Sequence, residues 1–96
     1  MSSSFEGKVA IVTGGNSGIG RAAAMGFAER GAQVVIAARR VDEGNETVAE
    51  IHAAGGDAIF VRTDVSQEAQ VEAMVRKTVE TYGGLDYAFK NAGGLG

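Results

Sequence analysis

The chain contains no cysteine, no proline, no tryptophan and a single histidine. Without cysteine there is no disulfide, no thiolate metal ligand and no thiol nucleophile. No apolar run approaches the roughly 18 residues that span a bilayer. The opening Met1-Ser2-Ser3-Ser4 lacks the basic start and apolar centre of a secretory signal. Residues 1–4 read as a disordered tail, and a cytoplasmic protein is the expectation. The net charge of −3 offers no basic face for nucleic acid or a membrane surface. Glycine, in contrast, is plentiful, with 15 in 96 residues, about double the usual ~7%. The glycines stand at junctions between apolar segments, so they read as turn chemistry.

Ninety-six residues fit one domain, taken as 1–96. A chain of this size hides roughly two thirds of its unfolded surface. The pattern alternates along its length. Residues 8–13, 33–38, 57–62 and 85–89 predict strands. Residues 18–30, 41–54 and 66–82 predict helices. Gly31, Gly55-Gly56 and Gly83-Gly84 stop the helices, and Ser66 is the expected cap of the last one. In that helix Val71, Met74, Val75, Val79 and Tyr82 recur at the 3.6-residue period and predict its buried stripe. Strands that are apolar on both faces, alternating with helices, imply a parallel sheet covered on both sides. The fold class is therefore α/β: a doubly wound, Rossmann-like half-sheet of four strands in the order 3-2-1-4 with three helices. A ligand is expected at the carboxyl ends, where the order reverses between the first and fourth strands.

The first strand runs into Thr13-Gly14-Gly15-Asn16-Ser17-Gly18-Ile19-Gly20. Strand, glycine-rich turn and helix together make a phosphate cradle. Gly14 allows a sharp exit from the strand. At Gly18 a pyrophosphate approaches the backbone where a Cβ would collide. Gly20 permits close helix–sheet packing. The amides and positive dipole at the helix start receive the phosphates. Asn16 and Ser17 are expected to add polar contacts, with Ile19 completing the stretch.

This Thr-Gly-x-x-x-Gly-x-Gly pattern resembles that of the short-chain dehydrogenase/reductase family. Other stretches agree in register: Asp64-Val65 after the third strand, Leu85-Asp86 at the start of the fourth, and Asn91-Ala92-Gly93 after it. The resemblance covers residues 7–94. It implies an Asp, here Asp64, against the adenine ring, and ligand contact through the backbone near Asn91, Ala92 and Gly93. Lys90 departs from the pattern, standing where the family usually has an Asn; its ammonium must reach water or an acidic partner.

About 20 residues beyond such a turn, an acidic side chain selects NAD by binding the ribose 2′-hydroxyl. Here that place is held by Ala38, followed by Arg39-Arg40. A guanidinium fork suits a 2′-phosphate by charge and geometry. The expected cofactor is therefore NADP, with NAD less favoured, and Arg39 is the sharper candidate; Arg40 has the alternative of serving the start of the second helix. A methyltransferase also uses a glycine turn after its first strand, but it wants an acid where the arginines stand.

The resemblance further implies a Tyr-x-x-x-Lys pair and a Ser that polarises a carbonyl. The residue at the Lys position is Asp86 after Tyr82 and Asn91 after Tyr87. Both tyrosines read as packing and His52 as a helix-surface residue, so no catalytic residue is assigned. The expectation is the cofactor-binding first half of a longer oxidoreductase, inactive by itself. The alternative is a truncated module that self-associates through the bare, apolar edge of the fourth strand and the neighbouring face.

Overall fold

The computed structural model describes residues 5–14 and 18–90. The elements follow in the order β1 (Val9–Thr13), α1 (Gly18–Glu29), β2 (Gln33–Ala38), α2 (Val41–Ala53), β3 (Asp57–Arg62), α3 (Glu68–Tyr82) and β4 (Tyr87–Phe89). The strands form one sheet in the order β3-β2-β1-β4. Every pairing is parallel, with Val9 opposite Gln33, Gln33 opposite Asp57 and Ala10 opposite Tyr87. This is the half-sheet that the alternation predicts.

Side chains alternate across the strands and supply two cores. Val12, Val34, Ile36 and Ala58 point to one face, where Ala24 of α1 and Ile51 of α2 meet them. Ile11, Val35 and Ala37 point to the other face, against Met74 of α3. Val34, Val35 and Ile36 are fully buried, each contributing about 1.5–3 kcal/mol. A central strand flanked by strands on both sides and helices on both faces has no room for polar side chains, which is why β2 reads as unbroken apolar sequence. Close approach of α2 depends on Gly44. A Cβ there would lie 2.1 Å from Cε1 of Phe60.

Three sequence expectations are corrected. Ser66 does not cap α3. The residue before α3 is Gln67, which makes no side-chain cap bond, and Ser66 turns back to Asp64 instead. The buried stripe of α3 runs through Thr78 and not Val79. Thr78 is fully buried and Val79 is 44% exposed, because the Thr78 hydroxyl donates to the Met74 carbonyl at 2.9 Å and so enters the core satisfied. β4 begins at Tyr87, later than predicted. Ahead of it the Asp86 carboxylate accepts the Val9 N–H at 2.9 Å, while the Asp86 N–H donates to the Val9 carbonyl at 2.9 Å. A side chain thereby takes the place of a ladder partner. At its far end α3 stops as predicted: Gly83 adopts φ 87° and its N–H returns to the Val79 carbonyl at 2.8 Å.

The aromatic side chains gather beside β4. Phe5, Phe27 and Tyr87 pack ring on ring, with centroids 5.1–6.1 Å apart. Tyr87 is thus a packing residue, as expected. On the opposite face of β4, Ala88 stays exposed.

Candidate functional site

Three adjacent strands end at one level. The Gly14 N–H donates to the Ala37 carbonyl and the Thr63 N–H to the Ala38 carbonyl, both at 2.9 Å. Gly14 and Arg39 follow directly where β1 and β2 end, and Asp64 follows β3 after Thr63, so residues far apart in sequence lie along the carboxyl edge of the sheet. Thr13, at the end of β1, reaches the other way and donates from its hydroxyl to the Phe89 carbonyl at 3.4 Å. It links the two strands between which the order reverses.

Gly14 sits at φ 69°, a conformation that costs a residue with a Cβ roughly 1–2 kcal/mol. It turns the chain out of β1, as the sequence predicts. α1 then begins at Gly18. Among the described residues, a Cβ on Gly18 would meet nothing within 4 Å, so none of them requires glycine at this position. Ile19 beside it is 67% exposed, and Gly20 is buried.

The helix starts differ in charge. The first turn of α2 carries Asp42 and Glu43, and that of α3 carries Glu68. The first turn of α1 carries no acidic side chain. An acid in a helix's first turn contributes about 0.3–1 kcal/mol, and α1 lacks that contribution.

Arg39 and Arg40 are both exposed, but they stand differently. Arg40 directly precedes α2; its carbonyl accepts the Gly44 N–H and its guanidinium pairs with Glu43 at 3.7 Å. That exposed pair contributes at most about 1 kcal/mol, yet it directs Arg40 towards α2. Arg39 lies nearer β3 and acts electrostatically on Asp64.

Asp64 is held from several sides. Its N–H donates to the Gln70 side-chain oxygen at 2.8 Å, and its Oδ1 accepts the Ser66 hydroxyl at 2.7 Å and the Ser66 N–H at 3.0 Å. The Ser66 hydroxyl, then its N–H, then the fields of Arg39 and Arg62 hold the Asp64 carboxyl below its ordinary range. Val65, which follows it, is 57% exposed.

Asn16, Ser17, Asn91, Ala92 and Gly93, like the expected tail at residues 1–4, lie outside the described residues. Lys90 is exposed at the end of β4. Neither tyrosine nor the histidine stands at the carboxyl edge. Tyr82, half-buried at the end of α3, donates to Asp57 at 3.1 Å at the amino end of β3. His52 Nε2 lies 2.9 Å from the Ala58 carbonyl, on an exposed part of α2. The roles of Ser66 and Gln70 were missed in the sequence; the Asp-x-Ser spacing of an Asx-turn was the available signal. Among the described residues there is no cluster of three or more metal-ligating side chains, and no helix is long and apolar enough to cross a membrane.

Comparison with known proteins places this geometry. An uncharacterised oxidoreductase of Thermotoga maritima is 51% identical over 89 residues, covering 93% of this chain and 35% of the relative. A 2,5-dichloro-2,5-cyclohexadiene-1,4-diol dehydrogenase of Sphingobium indicum is 46% identical, with 97% and 37% covered. The crystal structure of a hydroxysteroid dehydrogenase from Escherichia coli superposes with a TM-score of 0.91 at 38% identity, over 96% of this chain and 39% of that one. The chain thus spans just over a third of the length of these relatives. The family model for short chain dehydrogenases matches residues 8–96, and the chain belongs to that family.

Proposed function

We propose that these 96 residues form one dinucleotide-binding unit, the NADP(H)-holding portion of an oxidoreductase that moves a hydride between the nicotinamide and a carbonyl or alcohol. The nicotinamide ring, when bound, supplies the hydride chemistry. The observation that carries the reading is that Gly14, Arg39 and Asp64 all lie past the carboxyl ends of adjacent strands, beside an α1 start whose first turn has no acid of its own. In this reading the 14–20 stretch, with Asn16, Ser17 and Ile19, cradles the pyrophosphate. Arg39 receives the 2′-phosphate, with Arg40 as a lesser contributor, and Asp64 and Val65 meet the adenine. Asn91, Ala92 and Gly93 border the ligand through their backbone. A cytoplasmic setting, where NADP(H) is available, accords with the cysteine-free chain.

The preference for NADP over NAD rests on charge: β2 ends in Ala38, buried at 5% exposure, with no carboxylate before Arg39. Titration with both dinucleotides tests it. Saturable binding that favours NADP is expected, and equal or NAD-favouring affinity overturns the preference. No Tyr-x-x-x-Lys pair lies within the 96 residues, so the chain alone is expected to bind without turnover. Oxidation of NADPH by a ketone panel above background would contradict that.

A second reading is favoured by β4, which among the described residues pairs with β1 alone. Leu85 is 38% and Val79 44% exposed, and Ala88 of β4 is exposed as well. An unpaired strand edge beside apolar side chains recruits another chain, so the isolated chain is expected to associate with itself there. Sedimentation at high micromolar concentration should show a dimer or larger species that Ala88→Lys dissolves. A monomeric wild type would contradict it.

A further inference from the structure

We infer that Ser66, assisted by Gln70, is a positioning residue that sets the Asp64 carboxylate for the amino group of adenine before the nucleotide arrives. This rests on the reading of Asp64 as the adenine partner. The backbone and one carboxylate oxygen of Asp64 are already committed within the chain. Its N–H is taken by the Gln70 side chain at 2.8 Å. Its carbonyl accepts the Gln67 N–H at 2.9 Å. Its Oδ1 accepts both the hydroxyl and the N–H of Ser66, at 2.7 and 3.0 Å. A carboxylate fastened through one oxygen has a fixed rotamer, and Oδ2 then meets the ligand.

The chemistry of the arrangement is directional. The exocyclic amino group of adenine donates a hydrogen bond, and an ionised carboxylate only accepts. The Ser66 hydroxyl orients the carboxylate, and it is also the largest influence that holds its pKa below the ordinary value. The neighbouring Val65, 57% exposed, offers an apolar side chain to the same ring. Ser66 is itself exposed and caps no helix, so its hydroxyl is free of the structural duty that the sequence suggested.

The test compares NADP with nicotinamide hypoxanthine dinucleotide phosphate, in which a carbonyl replaces the amino donor. Wild type, Ser66→Ala and Ser66→Thr are titrated with each. Wild type should favour the adenine form. Ser66→Ala should cut that preference about threefold to tenfold while leaving the hypoxanthine affinity and the melting temperature in place. Ser66→Thr, which keeps the hydroxyl, should restore it. If Ser66→Ala weakens both ligands equally, or neither, Ser66 does not position Asp64. If wild type binds NADP without favouring adenine, this inference fails and the nucleotide reading survives. If wild type binds neither dinucleotide, the reading beneath it fails and the inference falls with it.

Discussion

The two ends of the sheet are built for different purposes. At the amino end, polar groups find partners within the chain. Asp86 and Val9 exchange hydrogen bonds at 2.9 Å, and Asp57 accepts from Tyr82 at 3.1 Å and Gln33 at 3.5 Å. At the carboxyl end the strands run out into an open helix start, exposed arginines and two exposed apolar side chains, Ile19 and Val65. One end closes the fold on itself, and the other is the end at which we propose that the dinucleotide binds. Changes at the amino end should therefore cost stability and spare binding, and changes at the carboxyl end should do the reverse.

The glycines sharpen the contrast. Gly44 is required by its neighbour Phe60, 2.1 Å from where a Cβ would sit, whereas Gly18 has no neighbour within 4 Å of that place among the described residues. Gly44→Val should push α2 off β3 and destabilise by about 1–3 kcal/mol, read as a lower urea midpoint. An unchanged midpoint would show that the Phe60 ring swings aside freely. Next in size, Arg39→Ala should weaken NADP about tenfold to a hundredfold, leaving NAD affinity and the melting temperature nearly unchanged. Parallel losses for the two dinucleotides would remove Arg39 from the 2′-phosphate. Asp86→Ala should cost about 1–2 kcal/mol by leaving the Val9 N–H without its acceptor, and Asp86→Asn should recover much of that. Denaturant unfolding checks both.

The smallest expected effect is at Tyr82. Burial, then the hydrogen bond to Asp57, pushes its phenol well above the ordinary value of 10.0. Because the folded-state pKa is raised, its stabilising contribution is complete below pH 10 and is lost as the pH rises from there through the folded value. Tyr82→Phe should be less stable by a constant amount at neutral pH, and the gap to wild type should close above pH 10. A gap that widens in alkali would contradict the Asp57 contact.

Much of the fold was legible in the sequence because apolar periodicity and glycine stops agree at every junction. Residues 33–38 could only be a doubly covered strand, and Gly83 could only end a helix. The errors share a cause: sequence pattern does not show which polar side chain finds a better partner. Thr78 entered the core in place of Val79 because the Met74 carbonyl takes its hydroxyl. Ser66 left the helix start because the Asp64 carboxylate, two residues back, is a charged acceptor for both its hydroxyl and its N–H. In the candidate site, the places of Gly14, Gly18, Arg39 and Asp64 in the fold were legible because each follows a strand or opens a helix. The separation of Arg39 from Arg40 became visible only through Glu43, in the first turn of α2.

The central claim is that the α1 start is kept open for a pyrophosphate, and one substitution tests it most directly. Gly18→Ala adds a single methyl where the protein has room, so thermal unfolding should shift by no more than the small gain of Ala over Gly in a helix, under about 1 kcal/mol. The same methyl should weaken NADP about tenfold or more by calorimetric titration, the expected scale for a methyl forced into a close contact. Undiminished NADP affinity in a stably folded Gly18→Ala chain would contradict the account.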